Sequence, residues 1–307
     1  MNEQLIFDGM GSHEQAGHAN PGCFRRQSDK RTHDKQSAGH GATGQDQTIP
    51  ALSIFTLGRF SLLLDGQPVE FGRKVPRRPL ELLKALVAAG GRDVGVTHLT
   101  NLLWPDVEGD AAQRSFDTTL HRLRKLLGDD RVLVVREGKL SLASDHCWVD
   151  VWRFERLLGQ SQRLLANDMN GNEYDKLVQL GKSLLGLYQG HFLGKEDLTS
   201  WSVSMHERLR SKYIHHLIEV GRYMEKHGHW EQAMDCYRKG TDVDDLVEVF
   251  YQRLMHCSLQ TCRFSEGLAA YRRCRQVLSI SLGLQPEPET ESLYQSLRNT
   301  RENRQSA

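Results

Sequence analysis

The sequence predicts a mainly α protein with two folded parts: a small α+β part over residues 49–146 and an all-α helical-repeat part over 147–300. Three observations predict it. Short β-rich runs and a hairpin signal bracket three helical segments between Leu52 and Leu142. From Trp148 onward, apolar residues recur almost throughout at helical spacing. Two segments, HWEQAMDCYRKG at 229–240 and RFSEGLAAYRRC at 263–274, superimpose at an offset of 34 residues, a helical-repeat period.

At 307 residues the chain is long enough for two cores. Its 40 Lys and Arg nearly cancel its 39 Asp and Glu, so any affinity for a polyanion must come from a local cluster. No run of about 18 apolar residues occurs, and the first residues lack the basic start and apolar stretch of a signal peptide, which predicts a cytoplasmic protein with no membrane partner. The six cysteines form no CxxC and read as buried, reduced thiols.

Residues 1–48 are rich in Gly, His, Gln, Ser and Asp and read as a low-complexity tail; 301–307 read as a second tail. Leu52 to Phe71 alternates through short β-rich runs around Gly58 and the Asp65-Gly66 turn signal, a small antiparallel sheet. RRPLELLKALVAAGGR places Leu80, Leu83, Leu86 and Val87 on one helical face, with Pro79 in the first turn and Gly90-Gly91 as the stop. VTHLTNLLW is a second helix with Thr97 as its expected cap and Pro105 as its stop. After the acidic loop PDVEGD, AAQRSFDTTLHRLRKLLG is a third helix that Gly128 ends. RVLVVREGKLSLA is then a hairpin around Glu137-Gly138.

Within the repeated segments, Ala233 and Gly267 hold the small position where paired helices approach, Tyr237 and Tyr271 the aromatic one, and Gly221 the small position of the preceding helix. The period is that of tetratricopeptide repeats, which stack helix pairs and present a surface to a protein or peptide.

The third helix carries the chemistry. Phe116, Leu120, Leu123, Leu126 and Leu127 read as one apolar stripe. The opposite face holds Arg114, Ser115, Thr118, His121, Arg122 and Lys125, with Arg124 at the stripe's edge and Asp117 as the one acid within 114–125. An α-helix fits the major groove, where arginine bonds guanine O6 and N7 together and neighbouring cations neutralise phosphates. Thr118 or His121 could add a base-edge contact. Lys74, Arg77 and Arg78, ahead of and within the first turn of the first helix, complete the expected DNA contacts. A basic helix face in isolation is more often simply solvated; the order of the surrounding elements decides otherwise.

That order, sheet, three helices and hairpin, together with RSFDTTLHRLRKLLG, resembles the winged helix-turn-helix output domain of OmpR/PhoB-type response regulators over about residues 50–146. The resemblance implies that Arg122 faces bases, that Arg114 and Arg124 clamp phosphates, and that the wing tip Arg136 to Lys139 reaches the minor groove. It also implies that the loop before the third helix, with Asp106, Glu108 and Asp110, touches RNA polymerase; Trp104 beside it reads as core packing. No receiver domain precedes this module in the sequence, so aspartyl phosphorylation is not its expected switch. Beyond it, DVWRFERLL, LGLYQG, the segment from Trp201 to Glu207-Arg208-Leu209, and the closing LGLQPEPETESLYQSL resemble the bacterial transcriptional activator domain. The pair of modules is similar to antibiotic-regulatory activators, which bind promoter direct repeats and recruit RNA polymerase. Gly240 and Asp245 depart from that repeat pattern, which carries a proline near position 245, and leave the first repeat's turn open.

Other motifs lack context. Gly39, Gly41 and Gly44 match G-x-G-x-x-G with no strand before or helix after. His227, His229 and Cys236, or Cys257 with Cys262, lack four-ligand metal spacing, and His13, His18, His33 and His40 lie in the low-complexity tail. No nucleotide-binding loop, G-x-S-x-G or H-E-x-x-H occurs. No cofactor, metal or enzymatic activity is therefore expected. The reading is a nucleoid-associated transcription regulator, an activator whose helical domain supplies homodimerisation or control. The alternative is a helical-repeat adaptor whose winged helix docks protein.

Overall fold

Why this chain makes two small sheets instead of one follows from where its β-rich runs can find partners. In the computed structural model, which describes residues 50–71, 75–166, 171–194 and 199–305, β1 (Leu52–Phe55), β2 (Ser61–Leu64) and β3 (Gln67–Pro68) form the expected antiparallel meander. Asp65 and Gly66 both take positive φ at the β2–β3 turn, as their Asp-Gly chemistry favours. A fourth strand, β7 (Cys147–Val149), lies parallel to β1, giving the order β3-β2-β1-β7. The sequence reading began the helical part here; Trp148 instead occupies a strand, its ring 5.0 Å from that of Phe55.

The second sheet is the wing. β5 (Leu133–Arg136) and β6 (Lys139–Leu142) turn through Glu137 and Gly138, both at positive φ, as expected. A short strand not expected from the sequence, β4 (Val94–Gly95), adds to β6 and fixes the hairpin to the rest of the fold.

Three helices fill the space between the sheets. α1 (Arg77–Ala88) buries Leu80, Leu82, Leu83 and Leu86. α2 (Val96–Leu103) starts one residue before the expected cap: Thr97 lies inside the helix, Gly95 precedes it, and no side chain caps it. The carbonyl of Gly138 accepts the Val96 amide at 2.8 Å, so a wing residue satisfies the first of the helix's unpaired donors. α3 (Gly109–Leu127) ends at Gly128, φ 72°, as its C-terminal glycine requires. It buries Phe116, Leu120, Leu123 and Leu127. Leu126, about 120° around the wheel from Leu120, is half-buried at the stripe's edge instead of inside it.

The helical part comprises α4 (Asp150–Leu165), α5 (Gly171–Leu187), α6 (Ser200–Lys226), α7 (Trp230–Val243), α8 (Glu248–Gln260), α9 (Phe264–Leu282) and α10 (Pro288–Gln305). α10 continues past residue 300, where the sequence reading placed a tail. The repeat glycines work as close-approach positions: a Cβ at Gly221 would run into the ring of Tyr237, and one at Gly240 into Phe250. Tyr237, fully buried, donates its hydroxyl to Glu225 of α6 at 2.6 Å. The turn after α7 forms without proline: Asp244 accepts the Leu246 amide at 3.0 Å through its side chain and pairs with Arg210.

One hydrophobic core runs from Leu52 in β1 through the α1–α3 helices to Phe250 and Cys257 in α8. No helix among the described residues is long and apolar enough to cross a membrane.

Candidate nucleic-acid interface

The physical problem at this surface is how a helix can hold cations outward without losing them to neighbouring acids. The buried stripe of α3 turns Arg114, Thr118, His121, Arg122 and Lys125 to solvent, all exposed. Asp117 is the one acid here, and its carboxylate accepts the Gln113 amide at 3.1 Å and pairs with none of these cations. Among the described residues, Arg114, Arg122, Lys125, Arg136 and Lys139 have no ion-pair partner. The face is therefore net cationic, with Asp117 its one offsetting charge.

Not every expected contact is equally available. Arg124 is half-buried and donates to the Leu133 carbonyl at 3.1 Å, tying α3 to the first wing strand. Arg78 is shared between Glu81 at 3.0 Å and the Leu103 carbonyl at 3.3 Å, bracing α1 against α2. Ser115 is partly buried, and its hydroxyl donates to the Ala111 carbonyl; Thr118 donates to that of Arg114. Each hydroxyl keeps acceptor lone pairs only. Arg77 is exposed, and Lys74 lies outside the described residues.

The wing sits beside this helix because three bonds hold it there: Arg124 to Leu133, Val96 to Gly138, and the β4–β6 pairing of Gly95 with Lys139. Its tip, Arg136 through Lys139, is exposed throughout. Asp106 and Glu108 are exposed in the loop before α3, whereas Asp110, also exposed, lies in the first turn of α3, which starts two residues earlier than expected; Trp104 packs against the core as expected.

A second polar constellation escaped the sequence reading. Asp150, the first residue of α4 and 2% exposed, accepts the Thr56 amide at 2.5 Å, the Thr56 hydroxyl at 2.7 Å and the Leu57 amide at 2.7 Å. Burial pushes its carboxyl up to about 6, and the bonds from Thr56, Leu57 and Val151 pull it back. Nearby, the Gly58 amide donates to the His191 carbonyl at 2.9 Å and Leu193 to that of Thr56 at 2.6 Å. Gly91, φ 75°, admits the Trp152 indole, where a Cβ would come to 2.6 Å; Trp152 donates its ring N–H to the Gly90 carbonyl at 3.0 Å. The head is thus bonded to the helical part at three places. The signal in the sequence was the invitation of DVWRFERLL to be read whole: an acid opening a helix straight after an apolar strand has few places to go but inward.

The rejected metal motifs have other partners. His227 Nδ1 lies 2.8 Å from the Tyr223 carbonyl, and His229 packs on Tyr174. Among the described residues no three metal-binding side chains cluster. Burial pushes the thiols of Cys147, Cys236 and Cys274 up to about 12 and that of Cys257 to about 11, which keeps them protonated; Cys262 is exposed. The tail glycines and histidines, with Cys23, lie outside the described residues.

Comparison with known proteins bears on the helical part directly. Residues 149–298 match the family described as bacterial transcriptional activator domain. The chain carries a bacterial transcriptional activator domain. Ahead of it stands a winged helix-turn-helix, and the order is shared with a solved structure of EmbR from Mycobacterium tuberculosis in complex with a low-affinity phosphopeptide, at TM-score 0.60, 23% identity, 82% of this chain and 66% of that one. In sequence, the chain is 26% identical over 226 residues to the regulatory protein AfsR of Streptomyces griseus, covering 70% of this chain. It is 24% identical over 264 residues to the transcriptional regulatory protein EmbR of Mycobacterium tuberculosis, covering 80% of this chain. The chain spans 22% of the length of AfsR and 63% of that of EmbR. In this chain the activator domain begins at the junction, since its first matched residue, Val149, is the last residue of β7 and Asp150 follows it.

Proposed function

We propose that the chain is a sequence-specific DNA-binding regulator of transcription, an activator that recruits RNA polymerase. The observation that carries this reading is the net-cationic face of α3 standing beside the exposed wing tip. Both AfsR and EmbR are named as regulatory proteins, which supports the same reading. α3 enters the major groove with Arg122 toward bases and Arg114 and Lys125 toward phosphates; Arg136 and Lys139 meet the adjacent backbone or minor groove. Thr118 and His121 offer acceptor and ring contacts to base edges, and Arg77 adds a phosphate contact with Lys74. Arg124 positions the wing and contributes to DNA through it. The reading places the protein in the cytoplasm, on promoter direct repeats, with the activator domain supplying self-association or control.

Asp106, Glu108 and Asp110 would repel phosphates and suit a polymerase surface. The test is to select a duplex from a random pool, then compare the full chain with Asp106→Ala/Glu108→Ala for duplex affinity at fixed salt and for transcription with purified polymerase. Unchanged or slightly tighter binding with lost activation is expected. Normal transcription from the double variant would refute the polymerase contact. Failure to select any duplex would refute DNA binding and favour a protein-docking winged helix.

A further inference from the structure

Five arginines of the activator domain pair with carboxylates on other elements. Arg208 pairs with Glu155, Arg210 with Asp244, Arg238 with Glu266, Arg253 with Glu225 and Arg263 with Glu231. The last helix pair instead gathers unpaired arginines in one groove. Between α9 and α10 runs a groove of about 690 Å³ whose walls carry Arg272, Arg275, Arg298 and Arg301. Glu302 at its end pairs with Arg298 at 3.4 Å, while Arg272, Arg275 and Arg301 have no ion-pair partner among the described residues. A groove with three uncompensated guanidinium groups, in a chain whose charges otherwise nearly cancel, is built for an anion.

The lining and its surroundings narrow the class of anion. Tyr271 and Tyr294 stack with centroids 4.0 Å apart, and Arg298 lies over the Tyr294 ring at 5.9 Å. Tyr294 is thus stacked on the buried Tyr271 with Arg298 beside its ring, which leaves the groove little open ring on which a nucleobase could stack. Just beyond it along α9 and into the next turn stand Ile280, Leu282 and Leu284, exposed by 76%, 50% and 56%. Apolar side chains beside arginines and tyrosines are the composition of a protein-binding surface, and they gain nothing from a phosphate backbone.

The geometry points to the α9–α10 groove as a docking site for an acidic segment of a partner protein, its carboxylates meeting Arg272, Arg275 and Arg301 and its apolar side chains covering Ile280 and Leu282. This site is separate from the α3 face and stands whether or not that face binds DNA.

The test uses the full chain and a fluorescein-labelled peptide of alternating acidic and leucine residues, followed by anisotropy. Two controls are the same peptide with its carboxylates replaced by amides, and a labelled oligonucleotide in single- and double-stranded form. The acidic peptide should bind, the amide version about tenfold or more weaker, and Arg275→Glu/Arg301→Glu should weaken the acidic peptide about tenfold or more while leaving duplex affinity and the melting temperature unchanged. Ile280→Ser, which keeps every arginine, should weaken it about threefold. Equal binding of acidic and amide peptides, no binding of either, or loss of oligonucleotide binding instead of peptide binding in the double variant would each overturn the proposal.

Discussion

Asp150 accepts both the amide and the hydroxyl of Thr56, a residue 94 positions earlier in the chain, and so bonds the first turn of α4 to the end of β1. Replacing Asp150 with alanine leaves buried amides of Thr56 and Leu57 without acceptors. We expect a loss of about 3 kcal/mol or more, read as a lower urea midpoint of the full chain. A midpoint within error of wild type would show that water or rearrangement replaces the carboxylate.

Arg122 and Arg124 sit two residues apart and should fail differently. Arg122→Ala should weaken the selected duplex by about 1–3 kcal/mol and leave random duplex nearly unaffected. Arg124→Ala should instead lower stability by about 1 kcal/mol, through the lost bond to Leu133, with a smaller effect on sequence preference. Binding isotherms on both duplexes, beside thermal melts, separate these outcomes.

The Arg114 guanidinium has no ion-pair partner among the described residues and is assigned to a phosphate. Arg114→Ala should therefore weaken all duplexes similarly and reduce the slope of log affinity against log salt by about 1. A salt titration from low to physiological ionic strength reads it directly.

Two helical glycines should respond with opposite signs. Gly221→Ala drives a methyl into the Tyr237 ring and should cost about 1–3 kcal/mol or more. Gly181 in α5 has nothing near its Cβ direction, so Gly181→Ala should stabilise by about 0.5–1 kcal/mol. Denaturation midpoints of the two variants check the close approach of α6 and α7.

His216 is 2% exposed, its Nδ1 has no hydrogen-bond partner, and burial pushes its pKa down to about 4. The unfolded chain then takes up the proton first. The contribution of neutral His216 is complete above pH 6.5, the ordinary histidine value, and is lost as pH falls from there through about 4, by up to about 3 kcal/mol. His216→Phe should flatten that part of the stability profile. Parallel profiles for the two proteins would show that His216 is not the group responsible.

Much of this could be read in the sequence, for reasons visible in particular residues. The periodicity of α3 and its closing Gly128 fixed the helix, and the Glu137-Gly138 signal fixed the wing, because both are local rules. The 34-residue offset located Ala233, which is fully buried, and Gly267, where a Cβ would come to 2.8 Å from Leu297, for the same reason. What the sequence hid was non-local. β7 is three residues long and becomes a strand only because β1 lies beside it. Val94–Gly95 pairs because Lys139 and Leu140 arrive opposite it. Arg124 reads as a cation at the stripe's edge, given a phosphate by resemblance; only the position of the Leu133 carbonyl shows that it is engaged. Asp150 gave no periodic signal at all, since a buried acid announces itself through partners and not through spacing.

The parallel pairing of β1 with β7 sets an order of events during synthesis. β1 leaves the ribosome some ninety residues before its partner, which at about 5–20 residues per second is a wait of about 5–20 s. Through that interval the meander of β1 to β3 has one open edge on a buried, apolar strand. Closure comes with Cys147–Val149, and the very next residue to emerge is Asp150, which seals Thr56 and Leu57 and begins α4. The nascent head therefore completes its sheet and acquires its attachment to the activator domain together, and a chain stopped shortly before residue 147 would carry every expected DNA contact on a sheet still missing one strand.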